Sequence, residues 1–257
     1  MRIRYVRKTG PTGRLMTRLI PERLQNKPII FNFGSSESLN CSCPLVFNTP
    51  EAVYNASNKK RMFRMLIDSD IDTLDFIDLS TDRQRAINLL RQGKELVLRE
   101  GKTIRLISPF RGGWQSYFRG KKWKMRKADY QRLMNSNGYV TVKEDKLSEY
   151  RVIVWNKRIL KTYIKIPKNP YREMFKYKFR DCTFRRICHP DFSSDMYENI
   201  IESVNCLGLD LAGIDILINT DGVFKIIEVN SSPGMSEKTI NHLYRRMLNS
   251  KRVRRLY

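Results

Sequence analysis

Apolar positions along this chain recur with two periods, near two and near 3.6, and short runs of each interchange with no internal repeat and no low-complexity tract. A first region, to about residue 57, opens with a basic strand. It then carries Pro28-Ile-Ile-Phe-Asn-Phe33, an apolar run closed by Gly34-Ser35-Ser36, which predicts a buried strand entering a turn. Thr49-Pro50-Glu51 predicts a helix start, with Thr49 as cap and Pro50 at the first helical position, where its missing N–H is no loss. The region reads as a small α/β lobe.

From Asn58 onward, Met62, Phe63 and Leu66 fall on one helical stripe. Phe76 to Leu79 predicts a short strand, and Ser80 or Thr81 the cap of a helix through Leu90. Glu95-Leu-Val-Leu-Arg99 and Thr103-Ile-Arg-Leu-Ile107 predict a β-pair joined at Gly101-Lys102. Between Pro109 and Asn137, Gly, aromatic and basic residues mix without either period, and no order of elements follows. Tyr150–Val154 and Ile159–Ile166 predict adjacent strands separated by Trp155-Asn-Lys-Arg158, and Met196–Cys206 a helix burying Met196, Ile200, Ile201 and Val204. Ala212–Ile218 and Val223–Val229 read as two strands joined by Asn219-Thr-Asp-Gly222, whose Asp-Gly is a strong hairpin signal. A last helix is expected from about Glu237 to Leu248, with Ile240, Leu243, Tyr244 and Met247 on its core face.

Composition adds charge to this picture. The 257 residues are 41% hydrophobic and 29% charged, the balance of a folded protein with one large core or two modest ones. Lys and Arg number 49 against 26 Asp and Glu, a net +23 that implies an anionic substrate or partner without choosing among polyphosphate, acidic peptide, nucleic acid and acidic membrane surface. The basic residues cluster at Lys59–Arg64, Arg119–Lys127, Tyr171–Arg186 and Arg245–Arg255, and for any one cluster a solvated face is the first expectation. Cys41, Cys43, Cys182, Cys188 and Cys206 are odd in number with no recurrent spacing, which points to a reducing compartment. Neither Cys41-Ser-Cys43 nor the group Cys182, Cys188 and His189 has the ligand spacing of a zinc knuckle. No apolar run approaches the roughly 18 residues of a membrane span, and MRIRYVRKTG has no apolar stretch behind its basic residues. A cytoplasmic location is expected.

Two carboxylates stand out against the pattern. Asp215 interrupts Gly213-Ile-Asp-Ile-Leu-Ile218 and Glu228 interrupts Phe224-Lys-Ile-Ile-Glu-Val229. A charge in a buried strand is costly unless it is paired or bound to metal. Glu228 and Asn230, two apart in one strand, share a face, and the hairpin brings Asp215 beside them. Two carboxylates and an amide carbonyl are hard oxygen donors suited to Mg²⁺, which keeps positions open for water and nucleotide phosphate.

The run LGLDLAGIDILINTDGVFKIIEVNSSPG, ending at Gly234, resembles the C-terminal signature of the ATP-grasp ligases. It is most similar to that of the ribosomal-protein glutamate ligases and of phage-encoded members. In that family a Gly-Leu-Asp turn, here ending at Asp210, precedes a metal-binding Asp, and Glu-x-Asn-x-x-Pro-Gly closes the site. The resemblance implies an α/β (α+β) ATP-grasp fold, with two α+β lobes holding ATP between them behind a small truncated N-terminal lobe. The corresponding boundaries are 1–57, 58–138 and 139–257, the last carrying the metal and ATP site.

It also implies that Asp215, Glu228 and Asn230 coordinate Mg²⁺, with Mn²⁺ as the alternative, against the ATP phosphates. Phe47-Asn-Thr-Pro-Glu51 followed by Asn58-Lys59-Lys60 is similar to the approach to the nucleotide lobe, which gives Lys60 a nucleotide-binding role. Leu96-Val-Leu-Arg99 resembles the strand whose last basic residue meets phosphate, here Arg99. Glu149-Tyr-Arg151 and Lys165 resemble the Glu-x-Arg strand and the later basic residue of the second lobe. Glu149 and Lys165 are then nucleotide-binding and Arg151 catalytic, as is Arg180 in Phe-Arg-Asp-Cys-Thr-Phe. The chain departs from the family after Arg99, where Glu-Gly-Lys-Thr103 stands in place of a glycine-rich phosphate loop. Either Arg111-Gly-Gly113, beyond a second strand, serves instead, or closure over ATP is impaired.

The implied reaction is ATP-dependent carboxylate–amine ligation through an acylphosphate, on small-molecule or peptide carboxylates and amines, with glutamate as the family preference. A phage-encoded member would act in the host cytoplasm. The alternative is an ATP-grasp-derived basic binding protein with weak or no turnover, gripping nucleic acid or an acidic partner. For that role Trp114, Tyr117, Phe118 and Trp123 interleave with Arg119, Lys121, Lys122, Lys124, Arg126 and Lys127.

Overall fold

A computed structural model of the protein describes residues 4–7, 11–25, 28–38, 43, 45–101, 103–108, 116–118, 121–123, 127–168, 182–188 and 190–255. The chain divides into two units, residues 1–72 together with 146–257, and residues 73–145. Among the described residues no helix is long and apolar enough to cross a membrane.

The first segment contributes β1 (Arg4–Arg7), α1 (Pro11–Arg18), α2 (Glu22–Gln25), β2 (Ile29–Phe33) and β3 (Leu45–Phe47). The three strands pair in parallel in the order β1-β2-β3. All five residues of β2 are buried, as expected of the central strand of a parallel sheet, and its apolar run shows this in the sequence. Helix α3 (Pro50–Ser57) starts as predicted: the Thr49 hydroxyl accepts from the Ala52 N–H at 3.2 Å, with Pro50 in the first turn. Asn58 serves two helices. Its N–H donates to the Tyr54 carbonyl at the end of α3, and its side chain accepts from the Arg61 N–H to start α4 (Lys59–Asp68), which buries Met62, Phe63 and Leu66.

The unit of residues 73–145 contains β4 (Phe76–Asp78), α5 (Arg83–Arg91), β5 (Leu96–Glu100), β6 (Thr103–Ile107), β7 (Ser116–Phe118), β8 (Lys121–Trp123), α6 (Lys127–Asn135) and β9 (Tyr139–Val142). The antiparallel sheet runs β4-β9-β5-β6, and β7 and β8 pair antiparallel as a separate two-stranded sheet. Helix α5 is capped by Asp82 rather than by Ser80 or Thr81. The Asp82 carboxylate accepts from the Arg85 N–H, while the Ser80 and Thr81 hydroxyls donate to buried Asp78 and are not available to the helix. Gly138 is required where it stands, because a Cβ there would lie 2.3 Å from the Arg99 carbonyl oxygen of the neighbouring strand. Ile77, Leu79, Ala86, Leu90, Leu96, Leu133 and Val140 form this unit's core.

The chain returns with β10 (Lys146–Trp155), β11 (Arg158–Pro167), β12 (Cys182–Ile187), α7 (Ser194–Cys206), β13 (Leu211–Asn219), β14 (Phe224–Asn230), α8 (Glu237–Leu248) and α9 (Lys251–Arg254). Its strands form an antiparallel sheet in the order β12-β11-β10-β13-β14. The first hairpin turns on Asn156 and Lys157, with φ of 45° and 60°, so Trp155 and Arg158 belong to the strands rather than to the turn. In the second, the Asn219 side-chain oxygen accepts from the N–H groups of Asp221 and Val223, and Gly222 takes a φ of 79°. Ile153, Trp155 and Leu211 pack with Phe31, Phe47, Tyr244 and Met247 into one core that joins both sheets of this unit and α8.

Asn48, directly after β3, fastens the first segment to β13. It is fully buried with a φ of 56°. Its N–H donates to the Asp210 carboxylate, its side-chain oxygen accepts from the Asp210 and Leu211 N–H groups, and its amide nitrogen donates to the Leu211 and Ser231 carbonyls.

Candidate functional site

The hairpin of β13 and β14 pairs Asp215 directly with Glu228, and Gly213 with Asn230, so the three predicted oxygen donors share one face of the sheet. A register shift follows Asp215, a bulge of the kind that re-aims side chains at sites. Gly213 belongs to the same construction: a Cβ there would stand 2.5 Å from the Cβ of Pro233, so the glycine lets the Asn230–Gly234 segment cross close to β13.

Neighbouring strands bring cations to the same face. Arg151 of β10 pairs with Asp215 in register and meets it with two hydrogen bonds of 2.7 Å, Nε to Oδ1 and Nη2 to Oδ2. Lys165 of β11 donates to Asp215 Oδ2 at 3.3 Å and to Glu149, and Lys146 holds the other oxygen of Glu149 at 3.0 Å. The Arg151 guanidinium lies 5.2 Å from the centre of the Phe184 ring. From α4, Lys59 reaches Glu228 at 2.8 Å and also donates to the Ala56 and Val229 carbonyls, tying helix to strand.

Asp215 is only 4% exposed. Burial opposes its ionisation, but the Arg151 hydrogen bonds and charge, joined by Lys165, outweigh burial and hold the carboxyl below the usual aspartate range. The partners shift in the complementary sense. Burial works against the charge on Arg151 and on Lys165, yet Asp215 and Glu149 overcome it and both side chains titrate above their ordinary values, Arg151 with help from Glu228. Asp215, Arg151 and Lys165 are therefore all ionised at neutral pH.

Of the sequence-predicted residues, Glu149, Arg151, Lys165, Asp215, Glu228 and Asn230 come together on this sheet. Lys60 is half-buried on α4, but its neighbour Lys59 is the one bonded to Glu228. Arg99 lies on β5 in the other unit, in register with Ile104 and Tyr139. Arg180, Arg111-Gly-Gly113, Cys41 and His189 lie outside the described residues, as do Trp114, Arg119, Lys124 and Arg126 of the aromatic and basic stretch. Sequence reasoning assigns no role to Lys59 or Lys146. Lys146 sits three residues before Glu149 on the same strand, a spacing that pattern alone does not distinguish from a solvated lysine.

Asp215, Glu228 and Asn230 offer hard oxygen atoms of the type that Mg²⁺ prefers, and the donor set fits that ion. The charge balance adds a condition. Three carboxylates, Asp215, Glu149 and Glu228, are already met by four cations, Arg151, Lys165, Lys146 and Lys59. A divalent ion entering such a cluster needs further negative charge with it, and a polyphosphate supplies that.

No family model and no curated protein sequence matches the chain. Solved structures do. PsnB, an ATP-grasp ligase complexed with a minimal precursor, Mg and ADP, superposes with a TM-score of 0.56 at 15% identity over 80% of this chain and 62% of its own. The macrocyclase MdnC of Microcystis aeruginosa MRC, bound with precursor peptide MdnA, gives 0.53 at 13% identity over 79% and 65%. The D-alanine–D-alanine ligase of Bacillus anthracis complexed with ATP gives 0.60 at 14% identity over 92% and 86%. The chain thus spans less than two thirds of the length of PsnB and of MdnC. Two α/β units, the antiparallel sheet with its Asp215–Glu228 hairpin and these superpositions converge on one conclusion: the fold of this chain is the ATP-grasp fold.

Proposed function

We propose that the protein is an ATP-dependent ligase that joins a carboxylate to an amine through an acylphosphate. The observation that carries this reading is the β13–β14 hairpin, where Asp215 and Glu228 face each other with Asn230 beside them amid a ring of cations. The fold shared with ATP-grasp ligases supports it. Asp215, Glu228 and Asn230 would hold Mg²⁺, with Mn²⁺ as the alternative, and the ion would supply charge neutralisation and Lewis acidity at the transferring phosphate. The chain's own residues prepare the site. Arg151 and Lys165 keep Asp215 ionised, Glu149 orients Lys165, and Lys59 holds Glu228 against the sheet until an ion competes for it. Lys60 and Arg99 complete the proposed nucleotide-binding set, and Arg180 joins Arg151 in the proposed catalytic role.

For the acceptor, a peptide or amino-acid carboxylate suits the +23 charge, with glutamate as the specific proposal. The test is ADP release over a panel of amino acids and acidic peptides, with the parent chain and Glu228→Gln compared. The substitution keeps shape and removes one ligand charge, so turnover is expected to fall by roughly 10²–10³-fold with the fold intact. Calorimetry should show Mg²⁺ binding far more weakly alone than with ATP, because the three carboxylates of the cluster are already met by four cations. Absence of Mg²⁺-dependent ATP binding by the parent chain would overturn the proposal.

A further inference from the structure

Away from the Asp215 network, the five-stranded sheet has an unfinished edge. Strand β12 pairs with β11 only from Pro167 back to Thr162, while β11 begins at Arg158. Among the described residues no strand pairs with Arg158–Lys161 on the β12 side, so this stretch presents a backbone edge of the kind that accepts another strand. The edge opens on a cavity of about 390 Å³. Its apolar lining includes Ile159, Ile187 and Ile201, with the ring of Tyr197, itself 40% exposed, at its side.

Its charge is of one sign. Lys157, Arg158, Lys161 and Arg186 line the cavity, and among the described residues none of the four is paired with a carboxylate. The electrostatics register the imbalance. Burial and then the nearby Arg186 push the Lys161 ammonium below the usual lysine range, with Cys188 opposing in part. The His242 imidazole, on α8, is pushed down by burial and then by Lys161, Arg246, Arg186 and Arg245. Cations arranged to repel one another are costly unless an anion joins them. In the Asp215 network, four to seven residues further along β11 at Lys165, each cation by contrast has a carboxylate partner.

We propose that this notch is a docking site for an extended acidic peptide, which adds as a strand to the Arg158–Lys161 edge, its acidic side chains toward the cations and its apolar ones in the cavity. Main-chain hydrogen bonds supply affinity in this mode and alternate side chains supply specificity. Nucleic acid fits less well: single strands are held by stacking on successive aromatic rings, and among the described residues Tyr197 is the one ring lining the cavity. The site is distinct from the proposed ligase centre, and its test does not depend on ATP turnover.

The test uses the full chain and a fluorescein-labelled octapeptide alternating Glu with Val or Ile, read by anisotropy without ATP. Saturable binding is expected. The Lys161→Glu, Arg186→Glu double variant should weaken it by at least about tenfold. Methylating the peptide nitrogens along one edge should weaken it comparably on the unaltered chain, an arm that stays decisive if charge reversal disturbs folding. A Lys-for-Glu peptide should not bind. Affinity indifferent to both charge reversal and N-methylation would overturn the proposal. So would a single-stranded oligonucleotide that displaces the peptide and binds more tightly through Lys161 and Arg186.

Discussion

Asn48 is fully buried in a left-handed conformation that costs an ordinary residue about 1 kcal/mol or more, yet both polar ends of its side chain are bonded. Replacing it with Ala would leave two buried carbonyls, the buried Leu211 N–H and the partly buried Asp210 N–H short of a partner, so Asn48→Ala should lose about 2–4 kcal/mol in a denaturant titration. Asn48→Gly, which relieves the backbone alone, should recover only a minor part of that. Nothing in the sequence around Asn48 announces the role, because its partners at Asp210, Leu211 and Ser231 are far along the chain and become neighbours only in the folded state. Asp215 and Glu228 were legible for the opposite reason: they break apolar strands, and a buried charge has to be explained by something local. Lys59 could not be told from Lys60 until α4 fixed which of the two points at β14.

Elements follow the same division. Helix α8 covers Glu237–Leu248 as its periodicity predicts, because the core face and a Ser236 cap agree. Strand β10 runs further than its apolar stretch, since Lys146, Ser148 and Glu149 are polar and carry no alternation signal although they pair with β13. Helix α6 carries no periodic signal within the mixed stretch after Pro109, and among its described side chains only Leu133 is fully buried. In the unit of residues 73–145 one tertiary pair links strand ends to a pH response. The Lys143 hydrogen bond, then the Ser108 hydroxyl, hold the Glu95 carboxyl below the usual glutamate range, with burial opposing and the Lys143 charge assisting. A carboxyl with a lowered folded pKa stabilises above its unfolded value, near about 4.3, and loses that contribution as pH falls through the folded one. Chemical denaturation of parent and Glu95→Gln should therefore differ by a constant amount above about pH 5, with the gap closing as the solution is acidified further.

At the scale of the whole molecule, the unit of residues 73–145 is continuous in sequence, and the other is assembled from two segments. Within the continuous unit the chain arrives and departs side by side, the Val142 N–H donating to the Asp75 carbonyl at 3.0 Å. The other unit is tied at both cut ends, Asp72 accepting from the Ile226 N–H and Lys146 pairing with Asn219. Replacing residues 73–145 by a flexible linker of about six residues should leave the remainder cooperatively folded, with its melting transition and the near-ultraviolet signal of Trp155 retained. Asn48 then carries a meaning in time as well as in space. Its partners at Asp210, Leu211 and Ser231 lie 162 to 183 residues further along the chain, so the buried strand Ile29–Phe33 waits through most of translation before that clasp can close. Residues 73–145, whose core among the described residues is drawn from Ile77 to Val142, can be folded well before it does. A nascent chain of this protein thus carries the strand Ile29–Phe33 without its clasp for an interval that spans at least the distance from Asn48 to Ser231.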